Sequence, residues 1–166
     1  MERNTDTRNN LITIENAHII FVNMQGSRQT YNDEGRRNFN VLLTEEQAEA
    51  MRDLGVNVRV RASKYEDGEN QNLLKVNVNV NSKYPPKVYM MTPGGQLNLL
   101  SVDMYALIDQ AAEEHRIENV DLTFRAYKSP LRTDDRGLSA YLNSMVVTIE
   151  EDPLLRKYRG SEEMPF

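Results

Sequence analysis

Leu74-Lys75-Val76-Asn77-Val78-Asn79-Val80-Asn81 alternates apolar and polar side chains without a break. A period of two marks a strand with one face buried and the other in solvent. Upstream, Val56-Asn57-Val58-Arg59-Val60-Arg61 repeats the pattern, and Asp67-Gly68 in the connection supports a hairpin. The outward positions of this pair are Asn57, Arg59, Arg61, Lys75, Asn77, Asn79 and Asn81, and none is acidic.

The same reading extends in both directions. Leu11 to Met24 reads as one long, bent strand and Arg37 to Leu43 as a second. Thr44-Glu45-Glu46-Gln47 is a capping-box pattern, followed by Ala48, Met51 and Leu54 at helical spacing and Gly55 at the stop. Tyr84-Pro85-Pro86-Lys87 is an extended bridge that cannot sit in a sheet centre. Val88 to Met91 is a short strand, and Ser101 is placed to cap a second helix. Asn119 to Tyr127 alternates again, with Val120, Leu122 and Phe124 inward and Asp121, Thr123, Arg125 and Tyr127 outward, and Leu138 to Ile149 is the last strand. The expected fold is mainly β: a small closed antiparallel barrel with two short helices and a flexible C-terminal tail.

At 166 residues, with 39% hydrophobic side chains, the chain suits one domain with a real core. No run approaches the roughly 18–20 apolar residues of a spanning helix. The polar start, Met1-Glu2-Arg3-Asn4-Thr5-Asp6, lacks the apolar stretch of a secretory signal. The absence of cysteine excludes disulfides, thiolate metal sites and cysteine nucleophiles, and it permits a cytoplasmic location. A net charge of −5 counts against a nucleic-acid binder at first sight. Distribution weakens that objection. The acids gather in Thr44–Leu54, in Ser101–Glu114, in a turn around Gly68 and in the tail, while Gly55–Thr92 holds Arg59, Arg61, Lys64, Lys75, Lys83 and Lys87.

Catalytic chemistry finds little support. Asp134-Asp135, Glu113-Glu114 and Glu150-Glu151-Asp152 sit in a loop, at a helix end and in the tail, where no pocket separates their pKa values. Thr92-Pro93-Gly94-Gly95 lacks the lysine of a phosphate-binding loop. His18 and His115 lie far apart in sequence, so a histidine-rich metal site is not expected. The chain reads as a non-enzyme with no cofactor and no metal.

Binders of single strands combine a basic groove with aromatic rings on which bases stack. Bases and aromatics interleave here in four places: Phe39 after Arg36-Arg37-Asn38, Tyr84 between Lys83 and Lys87, Tyr127 between Arg125 and Lys128, and Tyr141 beyond Arg136. Each ring is also compatible with a core or rim position, and the basic strands with an ordinary solvated hairpin. Tyr89 and Phe124 are expected in the core.

The chain ends Ser161-Glu162-Glu163-Met164-Pro165-Phe166. Two acids, an apolar residue, proline and a terminal phenylalanine form a compact ligand for a pocket with a basic rim. This ending resembles the tip of bacterial-type single-stranded DNA-binding proteins, which closes on acids followed by Ile-Pro-Phe; Met164 replaces that isoleucine. The body is similar to phage-encoded single-stranded DNA-binding proteins with an OB-fold. That likeness rests on Glu34-Gly35-Arg36-Arg37-Asn38-Phe39, Gly55-Val56-Asn57-Val58, Tyr84-Pro85-Pro86-Lys87, Asn119-Val120-Asp121-Leu122 and Gly137-Leu138-Ser139-Ala140-Tyr141-Leu142.

The resemblance implies an OB-fold-like barrel over residues 1–152, with 1–10 disordered, and an acidic protein-interaction tail over 153–166. It implies coating of single-stranded DNA in replication, recombination or repair, with enzymes recruited through Glu162, Glu163, Met164, Pro165 and Phe166. The expected DNA contacts include Arg36, Arg37 and Asn77, with Arg59, Arg61, Lys75, Lys83, Lys87, Arg125 and Lys128 holding phosphates. Phe39, Tyr84, Tyr127 and Tyr141 are expected to stack bases. Homo-oligomerisation is compatible with the sequence, no membrane is involved, and the host cytoplasm is the expected location of a phage-encoded protein. The alternative is an acidic OB-like scaffold or inhibitor that mimics nucleic acid.

Overall fold

A computed structural model describes residues 11–27, 35–64, 68–128 and 135–151, and the backbone of residues 5–6. In chain order these form β1 (Thr5–Asp6), β2 (Leu11–Ile14), β3 (His18–Asn23), β4 (Arg37–Leu43), α1 (Glu45–Asp53), β5 (Arg59–Arg61), β6 (Gln71–Val78), β7 (Lys87–Met91) and β8 (Leu97–Leu99). A 3-10 turn (Val102–Met104), α2 (Ala106–Glu113), β9 (Ile117–Tyr127) and β10 (Ser139–Ile149) follow. Among these residues no helix is long and apolar enough to cross a membrane.

The strands join in the order β1-β2-β9-β10-β6-β4-β3, with β5 added to β6, and β7 and β8 added alongside β10. The path ends at β1 and β3, so the sheet is not closed, and the closed antiparallel barrel is corrected on two points. The sheet stays open, and β10 runs parallel to both β6 and β7. β6 meets β10 at Val76–Ala140 and Asn77–Tyr141, and β7 takes up the same flank at Lys87–Ser144. Residues 79–86 therefore leave the ladder between two strands that serve one partner. Pro85 and Pro86 have no N–H to donate, which is why the excursion falls there.

The long first strand is two strands. β2 pairs with β9 and β3 with β4, and the chain turns between them at Asn16, whose φ is +54° and whose N–H donates to Asp121 Oδ1 at 3.0 Å. The first helix forms as expected. Gln47 N donates to Thr44 Oγ1 and Thr44 N to Gln47 Oε1, and Gly55 follows at φ +82°. The second helix begins later than expected, because a 3-10 turn intervenes between Ser101 and Ala106.

Alternation decides what is buried. Leu74, Val76 and Val78 of β6, Phe39, Val41 and Leu43 of β4, and Val120, Leu122, Phe124 and Ala126 of β9 all enter the core. A bulge between Leu142 and Ser144 shifts the parity of β10, so Ala140 and Leu142 point inward first and Met145, Val147 and Ile149 afterwards. Val60 departs from its expected place: β5 is a three-residue edge strand that overhangs the core, leaving Val60 56% exposed. Ala48 and Met51 of α1, and Ile108 and Ala111 of α2, pack into the same core. Both helices thus lie on the inward side of the sheet and carry their acids away from its outward face.

Candidate nucleic-acid interface

The registers place the outward residues in rows. Tyr141 stands opposite Arg125 on β9 and Asn77 on β6, and Asn77 stands opposite Asn38 on β4. The next row holds Tyr127 opposite Ser139, and Lys75 opposite Asn40. Beyond them, Arg59 faces Leu73 and Arg61 faces Gln71 on β6. Residues far apart in the chain thus share one surface, and farther along β9 the same parity brings out Asp121, opposite Val146.

The rings of Tyr127 and Tyr141 stack with centroids 4.3 Å apart and planes 20° from parallel. Tyr84, on the excursion between β6 and β7, is 68% exposed and overhangs the same spot. Lys83 Nζ and Arg125 Cζ lie 5.6 and 5.8 Å from its ring centroid, within cation–π range. A cleft of about 260 Å³ runs between Tyr84, Tyr127, Tyr141, Lys83, Arg125 and Asn79. Its volume falls below the roughly 300–1,000 Å³ of a small-molecule site and suits flat rings. Partial desolvation, then the neighbouring Tyr141, raises the pKa of Tyr127.

Lys75 sits in a crowd of cations. Its pKa is pushed below the ordinary lysine value by partial desolvation and then by Arg59, Arg36 and Arg136. Arg59 is steadied by donating from Nη2 to Asn40 Oδ1 at 2.9 Å. Like charges gathered on one face favour a polyanionic partner that neutralises them. Arg136 belongs to this group but is not among the sequence-derived contacts; Asp134-Asp135 beside it disguise the local charge.

Most expected contacts therefore meet on one face: Arg36, Arg59, Arg61 and Lys75 at one end, and Lys83, Tyr84, Arg125, Tyr127 and Tyr141 at the other. Lys128 is exposed just beyond Tyr127, and Lys87 is exposed opposite Ser144 past the bulge. Asn77 lies within the face, but its amide nitrogen is committed to the Ala140 carbonyl at 3.1 Å.

Two expected contacts point away from this face. Phe39 is completely buried, because the period of two that sends Asn38 and Asn40 outward sends Phe39 into the core. Arg37 shares the parity of Phe39. It is half-buried at the inward end of β4, with Nη1 donating to the Gly35 carbonyl at 3.3 Å. Tyr89 is only half-buried, opposite Val146 on the outward side of β10, while Phe124 is fully buried as expected. Glu162, Glu163, Met164, Pro165 and Phe166 lie outside the described residues.

His18 and His115, far apart in sequence, together line the same two grooves beside β3 and α2. Among the described residues no group of three potential ligands is placed to hold a metal ion.

The open sheet face brings stacked tyrosines and cations together, the combination on which binders of single strands rely. A family model described as "Putative phage ssDNA-binding domain" matches residues 1–165, and the chain belongs to that family. No curated protein matches the chain significantly. The fold is similar to that of the single-stranded DNA-binding protein from bacteriophage Enc34. The C-terminally truncated form of that protein gives a TM-score of 0.51 at 11% identity, covering 92% of this chain and 96% of the other. Its complex with ssDNA gives 0.53 at 11% identity, covering 91% and 96%.

Proposed function

We propose that this protein coats single-stranded DNA with little sequence preference during replication, recombination or repair, and that its C-terminal tip recruits partner enzymes. The observation that carries the first part is the outward face running from Tyr84, Tyr127 and Tyr141 to Lys75, Arg59 and Arg61. Rings stack on any base, and cations on that face meet the phosphates, so neither contact discriminates sequence. Membership of the phage ssDNA-binding family and a fold shared with a protein solved on ssDNA support the same reading. Nucleic-acid mimicry would require the acids to form the exposed working face, whereas α1 and α2 hold theirs behind the sheet.

Competition against a labelled oligo(dT) by single-stranded DNA, duplex DNA and RNA tests the reading. Single strands should compete best and with little regard to sequence. Preference for duplex, or failure to bind at low salt, would refute it. For the tip, deleting Met164-Pro165-Phe166 should leave DNA affinity intact or raise it, because an acidic tail competes for the basic face, and it should abolish capture of a partner nuclease or helicase. Loss of DNA binding would place the tip within the fold instead.

A further inference from the structure

We infer that Phe21, at the far rim of the sheet, is a second nucleobase-stacking subsite that works with Arg61; the inference rests on the reading that the outward face binds single-stranded DNA. β3 follows β4 regularly through His18–Leu42, Ile19–Val41 and Ile20–Asn40, then resumes at Asn23–Asn38. Three steps on β3 thus match two on β4, which is a bulge. Phe21 lies in it with φ +52°, a left-handed conformation that is a genuine outlier for a bulky side chain. Such strain persists only where the surroundings impose it, and bulges commonly re-aim a side chain.

Here the re-aimed ring does not enter the core. Ile19 and Val22 pack against the core, but Phe21 is 55% exposed. Arg61 Cζ stands 5.2 Å from its centroid. Arg61, opposite Gln71, shares the outward parity of Lys75 and stands over the ring, which also lines the groove beside Asp109 and Glu113 of α2. Asn40, which holds Arg59, stands opposite Ile20, the residue just before Phe21. The arrangement of an exposed ring with a cation over it repeats that of Tyr84 under Lys83 and Arg125. β10, β6, β4 and β3 are successive neighbours, so Tyr141 and Phe21 lie on strands three places apart in the sheet. A single strand crossing the face would meet tyrosines first, then Lys75 and Arg59, and then Phe21.

The test uses the full chain and oligo(dT) of about 4 and about 16 nucleotides, the range of site sizes for a domain of this kind. Phe21→Gly removes the ring and accepts φ +52° without strain, so its melting temperature should hold or rise. Its affinity for the longer oligonucleotide should fall at least about fivefold, the loss expected for one stacked base, with a smaller loss for the shorter one. The chain contains no tryptophan, so Phe21→Trp adds a single indole at the subsite, and saturation with the longer oligonucleotide should quench it. Wild-type affinity in Phe21→Gly, or an unquenched indole at saturation, would overturn the inference. If Tyr84→Ala weakens binding in the same assay while Phe21→Gly does not, only the subsite fails. If the wild-type chain does not bind either oligonucleotide, the reading of the whole face fails with it.

Discussion

Tyr127 and Tyr141 stack ring on ring at 4.3 Å although they are not register partners: Tyr127 stands opposite Ser139, and Tyr141 opposite Arg125. The stack is a diagonal across β9 and β10, with Tyr84 above it from the excursion between β6 and β7. Such a pair is preorganised, since two rings that already support each other need little rearrangement before a base extends the stack. Tyr84→Ala, Tyr127→Ala and Tyr141→Ala should each cost about 1–3 kcal/mol of oligonucleotide affinity. The Tyr127/Tyr141 double variant should lose less than the sum of the singles, because each single change also removes the other ring's support. Fluorescence anisotropy on one oligonucleotide reads both effects; strict additivity would mean the rings act independently.

Phe39 behaves oppositely. It is fully buried among Val41, Leu74, Val76 and other core residues. Phe39→Ala should cost about 3–5 kcal/mol of folding stability through the cavity it leaves. The fraction that remains folded should bind DNA like the wild type, as urea titration and anisotropy below the unfolding midpoint would show.

Lys75 sets stability against binding. The surroundings push its pKa down, so the folded state holds the proton less tightly than the unfolded chain does. The sign follows: stability tied to this group rises with pH between the lowered folded value and the ordinary lysine value. Lys75→Gln should therefore melt at a higher temperature than the wild type at neutral pH and bind single-stranded DNA more weakly. A lower melting temperature would show that the cationic crowd is not a source of repulsion.

Asp109 on α2 ties the helix to the strand end. Its carboxylate accepts the N–H groups of Met24 and Gln25 at 2.6 and 2.9 Å, and desolvation raises its pKa despite those bonds. Asp109→Ala should destabilise the fold by about 1–3 kcal/mol, the cost of leaving such donors unsatisfied. The folded pKa lies above the unfolded one, so the group's contribution is fullest below the unfolded value and declines as pH rises through the folded value. The wild type's advantage over Asp109→Ala in thermal melts should accordingly be greater near pH 4 than at pH 7.

Much of the working face was legible in the chain because it depends on a local period. The alternation of 74–80 and 120–126 names the inward and outward residues of β6 and β9 correctly, and the bases beside Tyr84, Tyr127 and Tyr141 mark rings that do converge. Phe39 carries two conflicting signals: Arg36-Arg37-Asn38 suggest a binding ring, but the alternation of Phe39, Val41 and Leu43 places it inside. What local pattern could not reveal is long-range pairing. That β6 and β7 both lie parallel to β10 depends on contacts between distant segments, and so does the gathering of Arg36 and Arg136 around Lys75. The β3 bulge is equally silent, since Phe21 reads as one more strand residue between Ile20 and Val22.

If the cations of one sheet face hold the phosphates, affinity must fall as salt rises. Measuring the affinity of the full chain for a labelled oligo(dT) across a series of salt concentrations tests it most directly. About four phosphate contacts predict a log–log slope near −3, and Lys75→Gln should make the slope shallower by about one contact's worth, roughly 0.7. Affinity that does not change with salt, or a slope that Lys75→Gln leaves untouched, would contradict the account.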